Sequence, residues 1–144
     1  MFERILVPTD GTDITRKAVE TAIGMAKVMG SKLYTLSVKE PFPYSAISEM
    51  QPTPPQEFYD AQERIATSRV QAVCEACSAA GLACDAATVE ALHPWEAIID
   101  HATQQACDLI VMASHGRRGV SALLLGSETQ RVLIHTPIAV LIVR

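Results

Sequence analysis

The sequence predicts an α/β protein in which helices cover both faces of a parallel β-sheet. Short β-branched runs alternate with helical patterns along the chain, which is typical of βαβ crossovers. The runs at residues 5–7 and 109–112 are continuously apolar, as expected of strands buried on both faces. With 144 residues, 49% of them hydrophobic, the chain can bury a core without disulfides. We therefore expect one domain spanning residues 1–144.

The first strand is predicted at residues 4–8, in the centre of the sheet, and it ends where Pro8 lacks a backbone N–H. A helix follows from the N-cap residue Thr12 to Met29, and Gly30 is the expected C-terminal cap. The apolar stripe of this helix contains Ala18, Ala22, Met25, Ala26 and Met29.

The second strand is predicted at residues 32–38, and a proline-rich connection without regular structure follows it. A second helix is expected from about Gln56 to Ala80, and Gly81 closes it. The prolines of the connection are Pro41, Pro43, Pro52, Pro54 and Pro55. The apolar positions of the helix are Phe58, Ile65, Val70, Val73 and Cys77.

A third strand is predicted at residues 83–89. Pro94 suits the first turn of a third helix, which runs to about Gln105. A fourth strand at residues 108–112 comes next. The apolar face of the third helix is formed by Trp95, Ile98, Ile99 and Ala102.

Ser127 and Gln130 have the spacing of a capping box, so the last helix is predicted to start at Ser127, run to about His135 and stop before Pro137. The final strand, residues 138–143, carries no charge. Left open at a sheet edge, such a strand would promote aggregation. We therefore expect a homodimer through residues 138–143; the alternative is burial of this strand inside the monomer.

The four cysteines are Cys74, Cys77, Cys84 and Cys107. We expect reduced thiols, because a chain of this size needs no disulfides and carries no export signal. Cys74 and Cys77 form a C-x-x-C pair late in a helix, which favours a core position over a redox or metal role. Zinc would need two more ligands, and the sequence around Cys84 and Cys107 supplies no second pair.

The formal net charge of −4 offers no basic field for nucleic acid. No apolar stretch approaches the roughly 20 residues that a bilayer requires, and the run at residues 5–7 is too short for a signal peptide. These features predict a cytoplasmic protein without nucleic-acid or membrane partners.

Ligands of open parallel sheets bind beyond the carboxyl ends of the strands. Three loops leave those ends: Pro8-Thr9-Asp10-Gly11, Val38-Lys39 and the glycine-rich residues 113–119. The third loop leads to Gly126-Ser127 at a helix N-terminus, where free N–H groups favour a phosphate. The Ser127 and Thr129 hydroxyls would add donors. A plain surface turn with Ser127 as a cap fits the spacing equally well, so both interpretations remain open here.

The whole chain, from Ile5-Leu6-Val7-Pro8-Thr9-Asp10 to Thr136-Pro137-Ile138-Ala139-Val140-Leu141-Ile142-Val143, resembles a universal stress protein. ATP-binding members carry Gly, two residues, Gly, nine residues, Gly and then Ser or Thr. Gly116, Gly126 and Ser127 match this pattern, whereas Ala113 replaces the first glycine. The resemblance implies a Rossmann-like fold of the adenine nucleotide alpha hydrolase type, with five parallel strands in the order 3-2-1-4-5.

The resemblance also implies ATP as the ligand, alone or with Mg²⁺ or Mn²⁺. Pro8, Thr9 and Asp10 would line the nucleoside end, the Val38 backbone would read the adenine edge, and Met112 would pack nearby. The Ala113 methyl group either crowds the ribose or is tolerated by a small shift. The residues expected around the ribose and phosphates are His115, Gly116, Gly126, Ser127, Glu128 and Thr129.

Several of these residues have an alternative structural role. Asp10 either binds ribose or Mg²⁺ or caps the first helix. Glu128 either meets a divalent cation or compensates a helix dipole. Arg117 and Arg118 are phosphate clamps or solvated loop residues. The histidines outside this motif, His93, His101 and His135, are expected to be capping or helix residues, and not to form a metal site.

Three functional hypotheses follow. The favoured one is an ATP-binding stress-response module, with little or no hydrolysis, whose nucleotide occupancy selects protein partners; no convincing nucleophile and base pair is evident. The second is a dimeric interaction protein of the same fold that binds no nucleotide, marked by Ala113. The third is an enzyme that acts on nucleotides or thiols through Asp10, His115 or the Cys74–Cys77 pair.

Overall fold

The computed structural model describes residues 1–42, 55–116 and 125–144. Five strands form one parallel sheet in the order β3-β2-β1-β4-β5, with β1 in the centre, which confirms the predicted fold and strand order. The elements in chain order are β1 Arg4–Pro8, α1 Asp13–Met29, β2 Lys32–Lys39, α2 Gln56–Ala79, β3 Cys84–Glu90, α3 Pro94–Gln104, β4 Leu109–Ala113, α4 Ser127–His135 and β5 Ala139–Val143.

Neighbouring side chains of each buried strand enter two different hydrophobic clusters, because side chains alternate across a sheet. Ile5 and Val7 of β1 belong to the first cluster, which packs under α1 and α2. Leu6, between them, belongs to the second cluster, which packs under α3 and α4. All three are at most 1% exposed. Burial on both faces explains why the apolar runs of β1 and β4 are continuous in the sequence.

Helix α1 begins and ends as the sequence predicts. Thr12 is its N-cap and accepts a hydrogen bond from the backbone N–H of Thr15, and Gly30 ends it with a φ of 71°. The left-handed conformation at that position favours glycine.

Helix α2 buries most of the side chains that the sequence predicts, and Val73 and Cys77 belong to the first cluster. Its buried residues are Ala66, Val70, Val73 and Cys77, whereas Ile65 is 44% exposed. The prediction that Ile65 faces the core is therefore wrong. Ala66, one position later, takes that place in the helix, because a small side chain fits close to the sheet.

Four strands have boundaries that differ from the predicted ones by one residue. β3 begins at Cys84, which pairs with Leu33, and β2 reaches Lys39 because Lys39 still pairs with Glu90. β4 begins after Asp108, whose carboxylate accepts hydrogen bonds from the backbone N–H groups of Glu3 and Arg4 at 2.9 and 3.0 Å. β5 begins at Ala139, the residue that pairs with Leu109.

Helix α4 covers the predicted residues, but the predicted capping box is wrong. Gly126 occupies the N-cap position and its carbonyl accepts a hydrogen bond from the Gln130 backbone N–H at 3.0 Å. The Gln130 side chain donates to the Leu125 carbonyl at 2.7 Å. Ser127 is thus the first residue of the helix, and its side chain is exposed.

Predictions on Pro43, Pro52, Pro54, Arg117, Arg118 and Gly119 fall outside the described residues. Within the described ranges, no helix combines the length and hydropathy needed to cross a bilayer. All four cysteines are free thiols in the structure.

Candidate functional site

The loop after β1 is fixed to its neighbours by hydrogen bonds. The buried Thr9 donates its backbone N–H to the Leu36 carbonyl of β2 at 2.9 Å. Asp10 Oδ1 accepts from the Thr12 backbone N–H and from the Thr12 and Thr15 hydroxyls, at 3.0, 2.7 and 2.6 Å. One carboxylate oxygen of Asp10 therefore stabilises the start of α1, as its capping interpretation requires.

The loops after β1 and β4 meet at Asp10 and Gly116. A Cβ atom placed on Gly116 would lie 3.0 Å from Asp10 Oδ2, which is closer than Cβ atoms normally approach an oxygen. The absence of a side chain at Gly116 thus lets the carboxylate lie against the loop backbone.

The N-terminus of α4 lies against the end of β4. The Gly126 backbone N–H donates to the Ser114 carbonyl at 2.8 Å. A Cβ atom on Gly126 would lie 3.4 Å from both the His115 Cα and the Ser114 carbonyl oxygen. Gly116 and Gly126 are ten residues apart in sequence, yet this contact brings them together with the first helical residue, Ser127.

A buried hydrogen bond between Ala113 and Thr129 also joins β4 to α4. The Thr129 hydroxyl donates to the Ala113 carbonyl at 3.0 Å, and Thr129 is only 3% exposed. The Ala113 side chain packs against the first cluster, whereas Met112 belongs to the second. Thr129 therefore holds α4 against β4, and its hydroxyl is already engaged.

His115 is buried, with 9% of its surface exposed. Its Nδ1 lies 3.0 Å from the Ser114 hydroxyl. Its Nε2 is buried, and no hydrogen-bond partner for it is found among the described residues. A buried polar atom left in this state is unfavourable by about 1–3 kcal/mol, so Nε2 is a polar group to which a bound molecule can contribute the missing partner.

Glu128 is used within the protein. Its Oε2 accepts a hydrogen bond from the Trp95 backbone N–H at 2.8 Å, which satisfies one free amide at the N-terminus of α3. The Trp95 ring also stacks on His135, the last residue of α4, with ring centroids 4.6 Å apart. Helix α3 begins with Pro94, and its N-cap residue His93 provides no side-chain cap, so the Glu128 carboxylate supplies an acceptor for this helix N-terminus.

Pro8, Val38 and Met112 lie at the carboxyl ends of the adjacent strands β1, β2 and β4, as predicted. Pro8 pairs with Leu36, and the half-buried Val38 packs against the second cluster. The next residue, Lys39, points to α2 and forms a 2.5 Å ion pair with Glu63. This hydrogen bond from Lys39, helped by the Thr88 hydroxyl, lowers the pKa of Glu63.

A pocket of about 490 Å³ lies between the start of α1 and α2. Asp10, Gly11 and Thr12 form one wall, and the other is formed by α2 side chains, namely Arg64, Ile65, Ser68 and Arg69. Gly11 has a φ of 79°, and a Cβ on it would lie 3.1 Å from the Arg69 Cγ. Sequence reasoning did not identify the α2 wall, because those residues are far from the glycine motif along the chain.

Comparison with known proteins identifies the family of the chain. The model of the universal stress protein family matches residues 1–144. The chain belongs to the universal stress protein family. A universal stress protein of Thermus aquaticus is 32% identical over 145 residues, covering 100% of both sequences.

Solved structures of other proteins, among them universal stress proteins, share the fold. The hypothetical protein MJ0577 superposes with a TM-score of 0.84 at 23% identity, covering 99% of this chain and 96% of that one. A universal stress protein in complex with cAMP gives a TM-score of 0.70 at 23% identity, with 99% and 97% covered. One from Archaeoglobus fulgidus in complex with dAMP gives 0.69 at 16%, with 99% and 98% covered.

Proposed function

We propose that this universal stress protein binds an adenine nucleotide beside Gly116, Gly126 and Ser127. The observation that carries the proposal is the close approach of Gly126 to the Ser114 carbonyl and the His115 backbone. It puts the start of α4 next to a glycine-containing loop. Phosphate groups bind well at such helix N-termini, because free N–H groups and the helix dipole favour negative charge.

Two polar groups support a ligand at this place. The Ser127 hydroxyl is exposed at the first turn of α4, and the buried His115 Nε2 needs a partner. Buried polar atoms are nearly always hydrogen-bonded in native proteins. We propose that Ser127 and the α4 backbone bind phosphate and that His115 contacts the ribose side, whereas Thr129 and Glu128 position α4 without touching the ligand.

ATP is the nucleotide that we propose, alone or with Mg²⁺ or Mn²⁺. Universal stress proteins with cAMP and with dAMP support an adenine nucleotide as the ligand class. The Ala113 methyl group packs against the first cluster, so it occupies space within the core. This packing supports the view that Ala113 is compatible with a bound ribose.

The test is equilibrium dialysis of the purified protein with labelled ATP, after any retained nucleotide has been removed and identified by mass. Gly126→Val places a branched side chain against the His115 backbone and should weaken ATP binding at least about tenfold. The matched control is Gly24→Val, since Gly24 lies on α1 with no atom near its Cβ position. Folded protein that takes up no ATP would contradict the proposal.

A second candidate function is that of an interaction protein that binds no nucleotide. The observation that favours it is Ala113 itself, which stands where the ATP-binding pattern has its first glycine. Under this hypothesis Ala113→Gly creates ATP binding that the natural protein lacks. Equal binding of ATP by the natural protein and by Ala113→Gly would contradict this hypothesis.

We propose binding without enzymatic turnover. The buried Ser114 and His115 contact each other at 3.0 Å, but at 5% and 9% exposure neither presents an open nucleophile. Phosphate release from ATP should therefore stay at the rate of the buffer. Release that disappears in Ser114→Ala would favour an enzyme instead.

We further propose that the protein is a cytoplasmic homodimer joined through β5, and that nucleotide occupancy changes its loops and thereby the choice of protein partners. β5 pairs only with β4 in the described sheet. Its five apolar residues all remain partly or fully exposed. An open apolar edge of this kind favours pairing with another strand, and a second copy supplies an identical one.

A further inference from the structure

Helix α2 presents a basic and apolar face to the loop after β1. Arg64 and Ser68 are four residues apart, and so are Ile65 and Arg69, so the four side chains lie in two neighbouring rows on one side of the helix. That side forms one wall of the pocket of about 490 Å³, and the loop at residues 10–12 forms the other. Small-molecule sites typically have volumes of roughly 300–1,000 Å³. We call this cavity the α2 pocket.

The charge of the α2 pocket favours an anion. Among the described residues its lining contains Arg64, Arg69 and the carboxylate of Asp10, although the whole chain has a formal net charge of −4. Asp10 Oδ1 already accepts three hydrogen bonds at the start of α1, and Oδ2 faces Gly116. The carboxylate is therefore engaged within the protein, and the formal charge of the lining is positive.

Arg64 is the cation that a ligand can reach. Its side chain is exposed and takes part in none of the ion pairs or hydrogen bonds between described residues. Arg69 has a partner within the chain, and its aliphatic part lies along the loop, since a Cβ on Gly11 would be 3.1 Å from the Arg69 Cγ. A guanidinium binds phosphate and carboxylate groups through two parallel hydrogen bonds. Arg64 can make this contact with an oxyanion in the pocket.

Ile65 gives the α2 pocket an apolar side. It is 44% exposed and belongs to the lining together with the hydroxyl of Ser68, which is also exposed. Contact with an apolar group would remove this isoleucine surface from water, which is favourable in proportion to the area covered. The lining thus combines a cation, a hydroxyl and an apolar surface within one cavity.

We propose that the α2 pocket binds a small organic anion, whose oxyanion group, phosphate or carboxylate, contacts Arg64 and whose apolar part covers Ile65. This inference goes beyond nucleotide binding and does not depend on it. The pocket lies on the α2 side of Asp10, whereas the proposed phosphate site lies at Gly116 and the start of α4. Two ligands can then be bound at the same time, on either side of the loop after β1.

The test titrates the full-length protein with phenyl phosphate and with benzoate, and compares them with inorganic phosphate and with phenol. Two-dimensional NMR spectra of the backbone amides report where each probe binds. We expect shifts at residues 10–12 and 64–69. Phenyl phosphate or benzoate should bind at least about tenfold more tightly than inorganic phosphate or phenol, because only the combined probes meet both sides of the pocket. The tighter of the two identifies the oxyanion.

Variants of the α2 wall separate the two contacts. Arg64→Ala should weaken binding of the tighter probe at least about fivefold, and Arg64→Lys should weaken it less, because lysine keeps the charge but loses the two parallel hydrogen bonds. Ile65→Ser should weaken that probe about fivefold and leave inorganic phosphate unchanged. The matched control is Arg131→Ala, which removes the same charge from an exposed position of α4, on the opposite face of the sheet.

ATP separates this pocket from the proposed nucleotide site. Probe affinity should be unchanged in Gly126→Val and should persist in the presence of saturating ATP. Direct competition with ATP, or shifts confined to residues 113–116 and 125–129, would assign the anion to the nucleotide site and overturn the proposal. Equal affinities of the parent protein and Arg64→Ala, or no binding of either combined probe, would overturn it as well, because the pocket would then be a solvated cleft.

Discussion

At the scale of single residues, Gly116 is required by its neighbour and not by its backbone conformation. Its Cβ position is 3.0 Å from Asp10 Oδ2, while Asp10 Oδ1 is held by Thr12 and Thr15. The carboxylate therefore has little freedom to withdraw. A methyl group at residue 116 would disturb both the loop and the start of α1.

We predict that Gly116→Ala lowers the free energy of unfolding by about 1 kcal/mol, measured by urea denaturation. Part of this loss should disappear in the background of Asp10→Ala, because the two side chains compete for the same space. The matched control is Gly24→Ala, where space is open and alanine favours the helix. Additive effects of the two substitutions would show that the clash does not determine the cost.

Spacing alone left Gly116, Gly126 and Ser127 open to two interpretations, and the family resemblance favoured the phosphate site; the structure brings their backbones together. The sequence could not show that Asp10 touches Gly116, nor that Glu128 binds the Trp95 amide. Both contacts join residues more than 30 positions apart, so they depend on how strands and helices are arranged. Dipole compensation within α4 was a reasonable expectation for Glu128, but its carboxylate caps a different helix.

At the scale of helices and strands, Glu128 couples α4 to α3. We predict that Glu128→Ala destabilises the protein by about 1 kcal/mol, because it removes a charged acceptor from a helix N-terminus. It should also speed hydrogen exchange at the Trp95 amide. Glu128→Gln keeps an acceptor and should lose less stability. Ser127→Ala, at the neighbouring exposed position, serves as the control. Unchanged exchange in Glu128→Ala would argue against this coupling.

Asp108 joins the beginning of β4 to β1 and makes this contact sensitive to pH. Burial alone would raise its pKa, but hydrogen bonds from the Glu3 and Arg4 backbone hold the pKa of Asp108 below its ordinary 3.8. The charged form is therefore favoured in the folded state. Its stabilising contribution is complete well above the unfolded pKa and is lost as the pH falls through the lower, folded pKa.

We predict that Asp108→Asn is less stable than the parent near pH 7 and that the difference shrinks as the pH falls below about 4. Denaturation curves at a series of pH values measure this. Asp100→Asn, at an exposed position of α3, is the control and should follow the parent. A difference that stays constant down to the lowest pH would refute the linkage.

Element types were predictable because each carries a strong local pattern: continuous apolar runs for strands and capped amphipathic stretches for helices. Element ends were less predictable. The start of β4 depends on Asp108 reaching the Glu3 and Arg4 amides, and the cap of α4 depends on Gly126 docking on Ser114. Such partners are distant in sequence, so local propensity does not reveal them.

For the molecule as a whole, β5 should join two copies. We predict a dimer by sedimentation velocity, and Ala139→Lys should shift it toward monomer, because a charge on an edge strand opposes strand pairing. Ala139 is the exposed residue of β5, so lysine there need not enter the core. Val28→Lys, at an α1 position that is 88% exposed, is the control for added charge. A monomeric parent protein would refute the dimer.

Strand order followed from the family resemblance, and the central place of β1 followed from its apolar character. Neither the resemblance nor the apolar pattern predicted which face of α2 is exposed. Helical spacing makes Ile65 and Ala66 comparable candidates for the core, and only the close packing of α2 on the sheet selects the smaller residue. The same helix carries the wall of the 490 Å³ pocket.

The stacking of Trp95 on His135 gives the protein an intrinsic fluorescent reporter. Trp95 is the sole tryptophan of the chain, and its amide is tied through Glu128 to the first turn of α4. Tryptophan emission from the unmodified protein therefore originates from one position, and the Trp95 backbone is hydrogen-bonded to the helix that we propose to bind phosphate. Titrations and stopped-flow experiments can follow that helix without any attached dye.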